Sequence, residues 1–390
     1  MLRSSWYRRP LVWLLIIIAA AAPGSAWSET ESTSAPGSAV DRFHAIWDVP
    51  TLYRNPSDPV IQSFSLIGRY HGQYWSVDAD QGKSDDVEHR RIYFGFQSVV
   101  FRDFLVEVQM KINDDFSPVY DELYTGFVKW NPEGANFSAS LGRLDYLFTN
   151  MERSLSSKRI PTVERSLLVN QLMPDEVVGL HLDTTNDGLS FHAGLYSGSI
   201  EREFSDFEGG VAADFGLAYE LPLLYEQGTL HIDFLVHDGD RDNDAFEPYK
   251  RVFSIWHKGH FGALGLGLDF TAGGGGQDNR ANVYGITLLP TYDISENLMI
   301  SGDKLQLALR YHYAYSDGDN GLELPKRYEQ EVTTGDGDSF QGLYAGLTYF
   351  LYGDRLKLMA AVEYSLMDDA ANDGGDYQGW TYLAGLRVYF

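Results

Sequence analysis

Five cations share one long polar stretch, 143–174: Arg143, Arg153, Lys158, Arg159 and Arg165, against Asp145, Glu152 and Glu164. Hydroxyls of Ser154, Ser156, Ser157, Thr162 and Ser166 stand among them. A guanidinium offers a planar fork of donors, an ammonium a point charge, and a hydroxyl one further donor. Together they can replace part of an anion's hydration shell. A loop packed on a wall, its cations paired with wall acids, has the same composition. Other stretches carry less. Asp238–Asp244 has the alternate-acid spacing of a calcium loop, but Tyr249 stands where the bidentate glutamate is required. Gly273–Gly276 lacks the Lys-Ser/Thr of a phosphate cradle and reads as flexible loop. Neither a nucleophile elbow nor a His-Glu-x-x-His pair occurs, and the chain has no cysteine. No cofactor, metal site or enzymatic activity is expected.

A second set of cations matters only if strands position it. From Phe64 onward the dominant period is two: Phe104, Val106, Val108, Met110 and Ile112 alternate with Leu105, Glu107, Gln109 and Lys111. A strand with one apolar and one polar face reads this way. Sixteen such runs can be marked: 62–77, 87–101, 102–112, 119–130, 135–142, 175–183, 188–196, 212–221, 228–237, 248–258, 260–272, 281–293, 304–315, 338–350, 355–365 and 379–390. Their lengths suit tilted membrane strands of about 9–11 residues better than the shorter strands of a soluble sandwich. With the apolar face outward, Arg69, His71, Arg91, Lys111, Arg310, Lys357 and Arg387 face a lumen, as do Glu107, Glu220, Asp233, Asp269 and Glu363.

The connections alternate in length. Arg102–Asp103, 131–134, 184–187, Lys258–Gly259 and 351–354 are tight, whereas 78–86, 143–174, 197–211, 238–247, 273–280, 316–337 and 366–378 are long. Only 294–303 strains the rule among the short turns. Short turns on one rim and long loops on the other describe an all-β, 16-stranded antiparallel transmembrane barrel, both ends on the periplasmic side. Residues 1–28 read as a signal peptide: Arg3, Arg8 and Arg9 precede the apolar stretch Leu11–Ala22, too short for a span of about 20 residues. Residues 29–61 read as a mostly irregular periplasmic linker and 62–390 as the barrel. The net charge of −25 excludes a nucleic-acid binder. Most of that acidity falls in the outer loops, whereas 143–174 is net basic.

The strand end Leu141–Phe148 ("LGRLDYLF"), the segment Ser154–Ser166 ("SLSSKRIPTVERS") and a last strand ending on Phe390 resemble the phosphate-selective porin O and P family of outer-membrane channels. The similarity spans about 62–390, and Arg159 stands where that family has an acidic residue. The resemblance implies a homotrimer whose third loop folds inward to narrow the pore. The expectation is an outer-membrane porin passing small hydrophilic solutes, with a preference for anions such as phosphate. Arg143, Arg153, Lys158, Arg159 and Arg165 are the constriction candidates, and Arg69, Arg91, Lys111, Arg310, Lys357 and Arg387 the candidates on the wall. The alternatives are a general diffusion porin of weak selectivity, a barrel-embedded hydrolase and a secreted β-rich binding module.

Overall fold

The computed structural model describes residue 43 and residues 45–390, apart from 199–202, 205–206, 208–209, 222–225, 239–243, 247–248, 278–279, 301, 326 and 371–374. The signal-peptide expectation and most of the calcium-like loop fall outside these residues.

Period-two alternation dictates a sheet with two unlike faces, and this one closes on itself. Its strands are β1 (Ile61–Ala79), β2 (Gly82–Val100), β3 (Phe104–Ile112), β4 (Tyr120–Trp130), β5 (Phe137–Asp145), β6 (Glu176–Asn186), β7 (Leu189–Ser197) and β8 (Ala212–Glu220). They continue as β9 (Gln227–His237), β10 (Tyr249–Phe261), β11 (Leu264–Gly276), β12 (Val283–Glu296), β13 (Lys304–Ser316), β14 (Ser339–Tyr352), β15 (Leu356–Asp368) and β16 (Tyr377–Tyr389). Each pairs antiparallel with the next, and β16 closes on β1 from Gly379↔Ala79 to Tyr389↔Arg69. Closure leaves no sheet edge to satisfy in an apolar solvent, the condition a membrane imposes. Beyond Tyr389, Thr51–Arg54 takes over as the neighbour of β1, pairing Thr51↔Ser65 and Arg54↔Ser63. Part of the expected linker is therefore a strand.

The outward face is apolar. Leu141, Leu180, Leu195, Phe215, Phe234, Leu268, Ile286, Leu309, Leu343 and Leu358 are exposed on β5 to β9 and β11 to β15. Tyr219 and Tyr292 lie near one rim, and Tyr284, Tyr315 and Trp380 near the other. A lipid-facing Arg or Lys would cost about 2–4 kcal/mol at mid-depth, so the phase of every strand is strongly specified. On the turn rim the connections are 101–103, 131–136, 187–188, 221–226, 262–263, 297–303 and 353–355. Asp187–Gly188 supplies the two positive φ values, 47° and 80°, that a two-residue hairpin turn demands.

One long loop expected from the sequence is absent. Between β1 and β2 only 80–81 turn, and the ladder runs on through Val77↔Ser84 and Trp75↔Asp86. Lys83, Asp85 and Asp86 are exposed there, so this hairpin stands beyond the apolar band, where pairing continues without apolar alternation. Gly273–Gly276, read as flexible loop, is the end of β11.

Candidate functional site

The third connection on the loop rim, 146–175, folds into the barrel. Tyr146, Met151, Ile160 and Val163 are buried, as is most of its short helix α1 (Leu167–Leu172). Leu167, Leu168, Val169 and Leu172 pack against the inner-wall residues Tyr196, Leu235, Tyr249, Val252 and Val283. Each such side chain contributes about 1.5–3 kcal/mol on leaving water. The wall has holes to receive them. A Cβ at Gly285 would lie 2.3 Å from Leu168 Cδ1, and one at Gly273 would lie 2.7 Å from Leu172 Cδ2. These glycines are required by close approach of the helix.

Polar anchors then fix the loop across the lumen. Arg153 joins its two ends, donating to Asp145 Oδ1 at 3.0 Å and to the Asp175 carbonyl at 2.6 Å. Asn150 Nδ2 donates to Thr271 Oγ1 at 2.8 Å on β11. Arg310 on β13 donates to Glu152 Oε1 at 2.9 Å and to both oxygens of Glu363 at 3.1 Å. Arg387 on β16 donates to the Val163 carbonyl at 2.9 Å, and Lys357 on β15 to the Lys158 carbonyl at 2.7 Å. Arg69 on β1 donates to Ser157 Oγ at 2.9 Å and lies about 5 Å from the ring centroids of Tyr93 and Tyr124. Four of the six wall cations singled out from strand phase thus hold the loop in place.

Register brings three of those six into one row. Lys357 is the cross-strand partner of Arg387, Arg387 of His71, and His71 of Arg91. Arg69 stands two residues along β1 from His71. Within salt-bridge distance, among the described residues, Arg69, Arg91 and Arg387 have no carboxylate, and Arg91 Nη1 and Arg387 Nη1 are buried without a hydrogen-bond partner. Cross-strand like charges are destabilising. In this row Arg387 and Lys357 meet the loop carbonyls of Val163 and Lys158, whose dipoles offset part of that cost.

The remaining candidates divide. Lys111 is neutralised by Asp121 at 2.8 Å and Glu122 at 3.1 Å. Arg143 lies in β5, not in the loop, and donates to the Glu203 carbonyl at 2.8 Å, with Glu122 and Glu176 near. Its role is to tie the fourth loop to the wall. Arg165 donates to the carbonyls of Glu152 and Leu155, inside the loop. Lys158 stays close to the basic row, its ammonium 5.7 Å from the Tyr389 ring centroid. Burial and the neighbouring Arg69 press its pKa down to about 8. Arg159 is exposed and reaches Asp354 at 4.0 Å, so the loop tip descends to the turn rim.

Alternation alone misses several residues. By phase Arg90 belongs outside with Ile92 and Phe94, but the ladder skips it between His71↔Arg91 and Gly72↔His89, and it meets Glu164 at 3.0 Å. A bulge re-aims a side chain in this way. Burial opposes charge on Glu164, yet Arg90, Arg91 and Arg387 hold its carboxyl well below the usual range. A second loop also turns inward: within 317–338, Leu322, Leu324, Tyr328 and Glu329 are buried. Gln73 donates to Tyr328 Oη at 2.6 Å, and Tyr328 donates to Glu164 at 3.3 Å. On the far wall Asp214, Asp233 and Asp269 are buried, with Trp256 donating to Asp233 and Ser254 to Asp269.

No family model matches the chain, and no curated protein matches it in sequence. Solved structures do. The chain is similar to OprB of Pseudomonas putida, with TM-score 0.57 and 9% identity over 84% of this chain and 94% of that one. The outer membrane channel DcaP of Acinetobacter baumannii gives 0.52 and 11%, over 87% and 99%. A substituted form of the Rh. blastica porin gives 0.51 and 11%, over 84% and 100%. At such identity the likeness is one of fold: a closed 16-stranded antiparallel barrel with outer-membrane porins among its structural neighbours.

Proposed function

We propose that the protein is an outer-membrane porin, exported by the signal peptide 1–28 and assembled as a homotrimer, through which small hydrophilic solutes diffuse with a preference for anions such as phosphate. It is a conduit and performs no bond chemistry. The observation that carries this reading is the row Lys357–Arg387–His71–Arg91, with Arg69 two residues along β1 and Lys158 close by against Tyr389. Inside a barrel, such charges lie between low-dielectric walls that strengthen their attraction for an entering anion. Placement inside the bilayer follows from the apolar belt, and the trimer from the resemblance to the phosphate-selective porin O and P family.

A channel of weak selectivity is the second reading, and Glu164 favours it. This carboxylate sits among Arg90, Arg91 and Arg387 and cancels part of their field. Reversal potential across a KCl gradient, with and without added phosphate, separates the two. Anion-selective current reduced by phosphate is expected; cation-selective current indifferent to phosphate would overturn the anion preference.

A further inference from the structure

The seventh loop carries a carboxyl into the lumen without a charge to meet it. Glu329 lies in a single 3-10 turn, Glu329–Glu331, and is 2% exposed. Its Oε1 accepts from Thr381 Oγ1 at 2.8 Å, while Oε2 is buried and has no hydrogen-bond partner among the described residues. Three strands face it. From β16 come Thr381 and Tyr377, whose buried hydroxyl is also unpartnered. From β15 comes Glu363, the cross-strand partner of Thr381, and from β13 comes Arg310.

Arg310 is already engaged, with Glu152 on one side and Glu363 on the other. Two carboxylates therefore already share this guanidinium, and an ionised Glu329 beside them would bring the uncompensated negative charges to two. Burial of unpaired charge is resolved by taking up a proton. Against burial, Arg310 and Ser166 keep Glu152 below its usual range, so the proton does not go there. Glu329, held by one neutral hydroxyl, is the acceptor; burial and Glu363 push its carboxyl up to about 7.

We propose that Glu329 is a proton-binding site that seats loop 317–338 in the lumen, and that loss of this proton unseats the loop, making it an acid-closed lid over the basic row. The lid is coupled to that row through Tyr328. The Tyr328 ring lies 5.7 Å from Trp75, and its hydroxyl bridges Gln73 and Glu164. Gln73 in turn accepts from Arg387 at 3.2 Å, and Arg327 pairs with Glu88 at 2.7 Å on β2. Release of Glu329 frees Tyr328 from Glu164 at the place where Arg90 and Arg91 converge. The sign follows from linkage. A carboxyl raised in the seated state contributes to seating below its ordinary value, and the contribution disappears as pH rises through about 7.

This inference rests on the channel reading, and one experiment distinguishes their failures. Single-channel conductance of the full chain is recorded in planar bilayers from acid to alkaline pH, in parallel with the mobility of a spin label at Glu331→Cys. Labelling is specific because the chain has no cysteine of its own. Conductance and label mobility are expected to rise together with a midpoint near 7, and Glu329→Gln to stay seated and poorly conducting throughout. A label transition that persists unchanged in Glu329→Gln, or a label that never moves, overturns the lid. A label transition with no current at any pH leaves the proton site standing and overturns the channel.

Discussion

Arg310 donates to Glu152 Oε1 at 2.9 Å across 158 residues of sequence, and both side chains are almost wholly buried. This contact ties wall strand β13 to the third loop. Removing one partner of a buried pair costs about 3–5 kcal/mol, because the other charge is stranded, whereas replacing both by apolar groups is often neutral. Arg310→Met is therefore expected to loosen the loop, raising its sensitivity to added protease and the channel's conductance. Arg310→Met with Glu152→Met should recover part of the loss. A double variant as loose as the single would show that the contact does not anchor the loop.

Leu168 occupies the space that a side chain at Gly285 would need, 2.3 Å from the position of its Cβ. Gly285→Val should push α1 off the wall at a cost of about 1–3 kcal/mol, the usual penalty for overpacking. The barrel ladder does not depend on that contact. Heat-modifiable gel mobility is expected to persist while the third loop becomes cleavable by protease. Loss of the folded band would instead place Gly285 in barrel assembly.

The sixteen strands were legible because lipid enforces the outward phase residue by residue, and the phase carried Arg69, Arg91, Lys111, Arg310, Lys357 and Arg387 inward with it. Where lipid does not act, the reading stops. The hairpin around 80–81 extends past the apolar band, so Lys83, Asp85 and Asp86 looked like loop although their backbone is paired. Arg90 turns inward through a bulge, which changes phase without leaving a mark in composition. The inward course of the third loop came from family resemblance, yet its apolar residues Leu167, Leu168 and Leu172 were a direct signal, since an outer loop in water has no use for them. Leu322 and Leu324 gave the same signal for the seventh loop. Pairing was the least legible: whether Arg153 or Arg91 meets a carboxylate depends on distances between segments far apart in sequence.

Turn 297–303, the longest on its rim, is organised by Asp303. Its carboxylate accepts from the backbone N–H groups of Leu298, Met299 and Ile300 and from the Tyr349 hydroxyl. Burial works against the charge, but these four donors prevail and lower its pKa to about 2. A depressed carboxyl contributes stability that is present above its ordinary value and lost as pH falls through the folded value. The turn should therefore hold at pH 4 and loosen near pH 2, seen as faster hydrogen exchange at 298–300. Asp303→Asn, with one carboxylate oxygen replaced by a donor, should loosen it at neutral pH as well. Equal exchange in the two proteins would show that backbone pairing alone holds the turn.

Arg91 and Arg387 share a row but differ in what their removal would do. Arg387 donates to the Val163 carbonyl and to Gln73, so its loss disturbs both the field and the loop. The Arg91 side chain makes no hydrogen bond or ion pair among the described contacts, and its Nη1 is buried without a partner there. Arg91→Gln therefore removes charge without cutting an anchor. A unit charge acts on an ion about 4 Å away with ~1 kcal/mol even at the dielectric constant of water, a factor of about five in relative permeability. Arg91→Gln is expected to lower the anion-to-cation permeability ratio by at least about that factor, since the cation is repelled as the anion is drawn, with loop protection little changed. Arg387→Gln should lower the ratio and also expose the third loop to protease. Reversal potentials measured beside limited proteolysis read the two effects separately. An unchanged ratio in Arg91→Gln would remove the row from the selectivity of the channel, whatever the loop does.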